Sequence, residues 1–250
     1  VQTCALPISC DDSMLARAET LTAELLRLGI TKYNCYTADS GLPDTLTARL
    51  HSDPRPKVLL IDQVAGDLSI PGALASEEDF VAMVAAARRN HPDARLLLRT
   101  HPDTRLGKKS GVLARLALDD VEVVAEHCHP HALLNSVEAV YTVSSQMGFE
   151  ALLLGKAVHC FGMPFYAGWG LTHDSKTCPR RQGPIALPQL VAAALILYPR
   201  YLDPILGQRC EVEQVLDIIA GQQSPAPRYR RLYMVGFSLW KRALDRKSTR

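Results

Sequence analysis

Lys57-Val58-Leu59-Leu60-Ile61-Asp62-Gln63-Val64-Ala65-Gly66-Asp67-Leu68-Ser69 sets a short β-branched apolar run against a glycine-containing turn that carries two carboxylates and a hydroxyl. Over Val58–Ile61 the apolar residues follow one another without alternation, so both faces of the strand are covered, as in a parallel sheet. Ser76, with Asp79 three residues on, then opens a helix in which Phe80, Met83, Val84 and Ala87 recur at helical spacing. The pattern repeats through strands at Leu96–Arg99, Val121–Val124, Ala139–Val143 and Val158–Phe161, with helical or turn-rich segments between them. This alternation predicts a parallel α/β layer of about five strands of the Rossmann type.

Upstream of this layer, Met14, Ala18, Leu21, Leu25 and Leu28 mark one amphipathic helix ending at Gly29, and Asp53-Pro54-Arg55-Pro56 reads as an interdomain linker. Downstream, Leu187–Tyr198 forms a helix stopped by Pro199, a second helix carries Val212, Val215, Leu216 and Ile219, and Ser224-Pro225-Ala226-Pro227 reads as another linker. With 28 Lys+Arg against 26 Asp+Glu the 250-residue chain has a formal charge of +2, which argues against nucleic acid as a partner. An apolar fraction of 47% supports a real core and excludes wholesale disorder. The longest apolar run, nine residues from Leu190 to Tyr198, falls short of the ~20 that cross a bilayer. Val1–Cys10 lacks the basic and apolar regions of a signal peptide, so the expected location is cytoplasmic. Seven cysteines without a C-x-x-C pair argue against zinc ribbons and disulfide frameworks. Pro225–Arg250 holds eight basic residues and one acid; Arg228-Tyr229-Arg230-Arg231 and Trp240-Lys241-Arg242 there fit contact with anionic lipid, and equally a solvated face.

In a parallel sheet the loops at the carboxyl ends of the strands converge on the ligand crevice. In the first such loop Asp67 fits a nucleophile or base, and it also fits a turn carboxylate capping backbone amides. After Leu96–Arg99 comes Thr100-His101-Pro102-Asp103, where Pro102 fixes a turn presenting the His101 imidazole to a phosphate or a proton; a hydrogen-bonded loop histidine has the same appearance. His91-Pro92-Asp93 repeats the tripeptide as a helix stop. After Ala139–Val143, Ser144-Ser145-Gln146-Met147-Gly148 combines hydroxyls, a glycine and a helix N-terminus suited to an anion, or to plain serine capping. Glu150, one turn in, can accept hydrogen bonds from ribose hydroxyls or simply favour the helix dipole. The segment Phe161–Thr172 sets four aromatics among glycines, an arrangement that suits a base or sugar platform and could otherwise plug an interface. His127, His129 and His131 alternate, but Pro130 interrupts them and a helix follows. With no D-x-D triplet either, no metal and no cofactor are expected.

Taken in order, Asp62-Gln63…Gly66-Asp67…Ser69, His101-Pro102, Tyr141-Thr142-Val143-Ser144-Ser145-Gln146-Met147-Gly148-Phe149-Glu150-Ala151-Leu152-Leu153, Pro164-Phe165-Tyr166-Ala167-Gly168-Trp169-Gly170-Leu171-Thr172 and Tyr198-Pro199-Arg200-Tyr201-Leu202-Asp203-Pro204 resemble the capsule polysaccharide β-Kdo glycosyltransferases of the KpsC/LipB type. The resemblance covers roughly Ile30 to Ile219. It implies an α/β, GT-B-type glycosyltransferase, here mainly its nucleotide-binding Rossmann-like domain with C-terminal helices. The division it suggests is a remnant of the N-terminal Rossmann-like domain over 10–53, the CMP-sugar-binding domain over 54–186, C-terminal helices over 187–224, and a linker with the start of a second module over 225–246. Residues 1–9 and 247–250 resemble translated sequencing-adaptor sequence.

Members of this family use CMP-Kdo to extend a lipid-linked Kdo oligosaccharide at the inner face of the inner membrane, with contact to membrane or capsule export machinery. They leave the sugar β-linked, so the resemblance implies a retaining double displacement with Asp67 as nucleophile. It further implies donors to the leaving phosphate from His101, Ser144 and Ser145, and a donor pocket completed by Gln63, Ser69, Pro102 and Gly148. Glu150 would hold the cytidine ribose, and Tyr166 and Trp169 would face sugar or base. Arg99, Arg105, Lys108 and Lys109 are further candidates to attract the substrates' carboxylates. Two other readings stay open: a CMP-sialic-acid-type transferase, which as an inverting enzyme needs no nucleophile, and a non-catalytic capsule assembly or export component that only binds glycan.

Overall fold

The computed structural model describes residues 10–32, 34, 39–100, 110–116, 118–181, 183–204 and 206–223. A central sheet carries β1 (Lys57–Ile61), β2 (Arg95–Arg99), β3 (Val121–Val124), β4 (Ala139–Thr142), β5 (Ala157–Cys160) and β6 (His173–Asp174). Every pairing in it is parallel, and the strand order is β3-β2-β1-β4-β5-β6. Five strands stand where the sequence places them, to within a residue. The sixth, two residues long, is too short for a hydrophobic period to show.

Alternate residues along β1, β2 and β4 feed two separate cores, which explains the unbroken apolar run. Leu59, Ile61, Leu97 and Val140 belong to one core; Val58, Leu60, Leu96, Leu98 and Tyr141 belong to the other. Helix α4 (Glu77–Asn90) covers the second with Phe80, Met83, Val84 and Ala87, and the Ser76 backbone N–H donates to Asp79 Oδ2 at 2.8 Å at its start. Between β1 and α4 lies one short turn of helix, α3 (Ser69–Gly72).

The first core is closed by α1 (Asp12–Arg27), α2 (Asp44–His51), α5 (Pro130–Asn135), α6 (Gln146–Leu153) and α7 (Leu187–Val191). Helix α7 continues as a π-helical segment, Ala192–Leu197, so the single helix expected over 187–198 changes its winding halfway. The apolar face of α1, Ala18, Leu21 and Leu25, packs on α7 and that segment. Arg17 fastens α1 further, pairing with Glu211 at 2.7 Å and Glu213 at 2.8 Å beside the final helix α8 (Val212–Gln223). Residues of α1 and α2 pack in one cluster with residues of the sheet. The Pro-rich connection before β1 is tied down, with Arg55 on the Asp53 carboxylate at 2.6 Å and Lys57 Nζ on the Asp53 carbonyl at 2.6 Å. A hairpin of β7 (Tyr201–Leu202) and β8 (Arg209–Cys210) precedes α8. No helix among the described residues is long and apolar enough to cross a membrane.

Candidate active site

The strand order reverses direction between β1 and β4: the chain leaves β1 toward β2 on one side and leaves β4 toward β5 on the other. The loops after β1 and β4 therefore diverge and leave a crevice at the carboxyl edge of the sheet. Those loops carry Gln63, Asp67 and Ser69 on one side and Ser144 and Ser145 on the other.

Gln63 ties the two sides together. The Ser144 backbone N–H can only donate, so it is the Gln63 Oε1 that accepts from it, at 2.9 Å. The buried amide then turns its Nε2 to the hydroxyl oxygens of Ser144 at 2.9 Å and Ser69 at 3.2 Å. The two hydroxyls lie 3.3 Å apart. Ser144 Oγ in turn donates to Gln63 Oε1 at 3.3 Å, so the amide and both hydroxyls form one network at the rim of the crevice.

Asp67 lies exposed in the turn made by Gly66, whose φ of +78° suits a residue without Cβ. One oxygen, Oδ1, accepts from the Ser69 N–H at 2.9 Å; Oδ2 has no hydrogen bond among the described residues. The neighbouring carboxylate, Asp62, has a different task. It is buried and accepts from the N–H groups of Gln63 and Leu113 at 2.9 Å and of Ala114 at 3.3 Å, lacing residues 110–114 over the loop. Burial raises its pKa while these N–H groups oppose the shift. A Cβ at Gly111 would stand 2.0 Å from Asp62 Oδ2, so only glycine permits this approach.

Other expected residues take structural positions. Ser145 caps α6, its Oγ accepting from the Met147 N–H at 3.3 Å. Gly148 serves packing, since a Cβ there would meet the Tyr166 hydroxyl at 2.3 Å. Tyr166 and Trp169 are 0% and 1% exposed, so the aromatic segment is no open platform. Their polar tips are satisfied internally: the Tyr166 hydroxyl donates to the Ser145 carbonyl at 2.5 Å, and Trp169 Nε1 to the Phe165 carbonyl at 2.9 Å. Arg99, expected to attract carboxylates, instead donates to the Glu126 carbonyl at 2.6 Å. Glu150 is 6% exposed and accepts from the Lys32 backbone N–H at 3.1 Å, so the chain covers its carboxylate. Burial pushes its pKa up to about 7. His101, Pro102, Arg105, Lys108 and Lys109 lie outside the described residues.

The histidine alternation resolves into core hydrogen bonds. His129 Nδ1 accepts from the His131 N–H at 3.0 Å, which leaves the proton on Nε2 facing the Gly29 carbonyl at 3.1 Å. Among the described residues no group of three His, Cys, Asp or Glu side chains is placed to hold a metal ion.

A cleft of 460 Å³ opens beside the paired serines, lined by Ser69, Ser144, Met163, Phe165, Arg180 and Arg181 among others. The two arginines were not singled out in the sequence. Arg181 holds the wall, donating to the carbonyls of Pro164 and Ala167, each at 2.5 Å, with its guanidinium 5.6 Å from the Trp169 ring centroid. Only the adjacent Pro179 and the turn after a cysteine mark them in the sequence, and neither signals a role.

Known proteins resemble this chain. Capsule polysaccharide modification protein LipA of Neisseria meningitidis serogroup B is 40% identical over 238 residues, covering 92% of this chain and 33% of LipA. Lipopolysaccharide-processing protein LpsZ of Rhizobium meliloti is 35% identical over 86% of this chain and 48% of its own length. The chain thus spans about a third of LipA and half of LpsZ. Among solved structures, the β-Kdo 2,4 transferase of Thermosulfurimonas dismutans KpsC superposes with a TM-score of 0.77 at 41% identity, covering 85% of this chain and 64% of that one. The β-Kdo 2,7 transferase of the same KpsC gives 0.64 at 28% identity, covering 88% and 64%. With residues 12–201 matching its profile, the chain belongs to the capsule polysaccharide biosynthesis protein family.

Proposed function

We propose that this protein transfers Kdo from CMP-Kdo to a lipid-linked Kdo oligosaccharide during capsule biosynthesis, with retention at the anomeric carbon. The observation that carries the reading is the free Asp67 Oδ2 beside the Ser69–Ser144 hydroxyl pair at the crevice between β1 and β4. The likeness to the two β-Kdo transferase structures supports it.

In the first displacement Asp67 Oδ2 bonds to the anomeric carbon while the bond from that carbon to the phosphate oxygen breaks, its electron pair leaving with CMP. The negative charge gathering on the phosphate is met by the Ser69 and Ser144 hydroxyls, whose oxygens Gln63 holds at the crevice. In the second displacement an acceptor hydroxyl oxygen bonds to the anomeric carbon and expels the Asp67 carboxylate, giving its proton to a base. Two inversions leave the β configuration of the donor. His101 is assigned to the leaving phosphate and Glu150 to the ribose. With a CMP-activated donor and a lipid-borne acceptor, the proposed site of the reaction is the cytoplasmic face of the inner membrane.

The test is a transfer assay with CMP-Kdo and a synthetic Kdo acceptor on the full-length natural protein. A β-linked product with release of CMP, and a loss of at least ~10³-fold in Asp67→Asn, is the expected result. An α-linked product, or full activity in Asp67→Asn, overturns the retaining mechanism; absence of any CMP binding favours a glycan-binding component.

A further inference from the structure

The cleft beside the paired serines has no acidic side chain in its lining, yet it holds two arginines. Arg181 is committed to the carbonyls of Pro164 and Ala167. Its own N–H donates to the Cys178 carbonyl at 2.9 Å, closing a turn whose third residue is Arg180. The fork of Arg181 therefore fixes the turn, and the turn presents Arg180 at the cleft. Arg180 is exposed and has no hydrogen bond or ion pair among the described residues. A guanidinium carried on a fixed turn, lining the same cleft as the two serine hydroxyls and with no acidic side chain in that lining among the described residues, is suited to receive an anion.

Resting on the function proposed above, we infer that Arg180 is a specificity-determining residue that binds the carboxylate of the donor sugar, while Ser69 and Ser144 take the phosphate. Two anionic groups on one ligand need two donor sets, and the hydroxyl pair and the guanidinium fork line the same 460 Å³ space. The planar fork matches a carboxylate in two parallel bonds, whereas neutral sugar nucleotides offer it nothing. Arg180 thereby selects acidic sugars, and Arg181 acts as its positioning residue.

The experiment compares affinities of the full-length natural protein for CMP and for CMP-Kdo, with Arg180→Gln and Arg180→Lys beside the wild type, and thermal melting to check folding. The expected result is a loss of ~10–100-fold for CMP-Kdo in Arg180→Gln, a smaller loss in Arg180→Lys, and CMP affinity unchanged within about twofold. An equal loss for CMP and CMP-Kdo overturns the assignment in favour of the phosphate, and no loss for either overturns it outright. If the wild type binds neither ligand, it is the transferase reading that fails; if the wild type binds both and the variants do not discriminate, only the role of Arg180 falls.

Discussion

Replacing Glu150 by Gln separates the energetic cost of a buried carboxylate from its use. The side chain is 6% exposed, and the hydrogen bond it accepts from the Lys32 N–H at 3.1 Å can be accepted equally by a Gln Oε1. Burial raises the carboxyl from 4.5 to about 7 in the folded protein. A raised folded value means that the contribution to stability is whole below pH 4.5 and is lost as pH rises through about 7. The loss above that range is on the order of 3 kcal/mol as an upper figure. Glu150→Gln removes it, so the variant melts roughly 6–12 °C above the wild type at pH 8. At pH 4.5, where both side chains are neutral, the two should melt together. Differential scanning fluorimetry across pH 4.5–8.5 reads this directly. A difference that does not change with pH, or a variant less stable at pH 8, refutes the reasoning. A more stable variant with weakened CMP-Kdo binding would show that the carboxylate is retained for use rather than for stability.

Gln63→Met leaves the Ser144 N–H and both hydroxyls without their amide partner, and should cost roughly 1–3 kcal/mol in denaturant unfolding along with most transferase activity; an unchanged midpoint and rate would remove the clamp from the account. Gly148→Ala drives a methyl against the Tyr166 hydroxyl and should destabilise by about 1–3 kcal/mol, with part of the loss recovered in the double variant with Tyr166→Phe; strict additivity would contradict the contact. Burial lowers the His131 and His159 pKa values to about 4, and neighbouring histidines push the same way. Their contribution to stability is complete above pH 6.5 and is lost as pH falls toward 4, so melting should drop through that window. His159→Phe, which keeps the stack on Tyr141 (ring centroids 4.2 Å apart), should flatten the drop, and an unaltered acid limb would clear His159 of that role.

Strands β1 to β5 were legible because each is a short, mostly apolar run bounded by turn residues, and helix α4 because its cap and its period agree. The six-residue π-helical winding after Val191 has no such signature: the residues Ala192–Leu197 fit an ordinary helix equally well. The loops of the site were found by topology, since a parallel sheet directs attention to the ends of β1 and β4. What those loops do internally was hidden. Gln63 and Ser144 are 81 residues apart, and a glutamine carries no mark of the partner it will meet. Tyr166 and Trp169 misled for a physical reason: each has an apolar body and one polar tip, and the tip is as well satisfied by a backbone carbonyl as by a ligand. Arg180 and Arg181 are identical in sequence terms, and only the carbonyls around Arg181 distinguish the brace from the free guanidinium.

Double displacement requires a covalent sugar on Asp67. Incubating the full-length natural protein with CMP-Kdo in the absence of acceptor, quenching in acid and mapping peptides by mass spectrometry tests it most directly. The account predicts a Kdo-sized mass increase on the peptide bearing Asp67 in the wild type and none in Asp67→Asn. Turnover of CMP-Kdo by Asp67→Asn at the wild-type rate, or an adduct on a different residue, would contradict it.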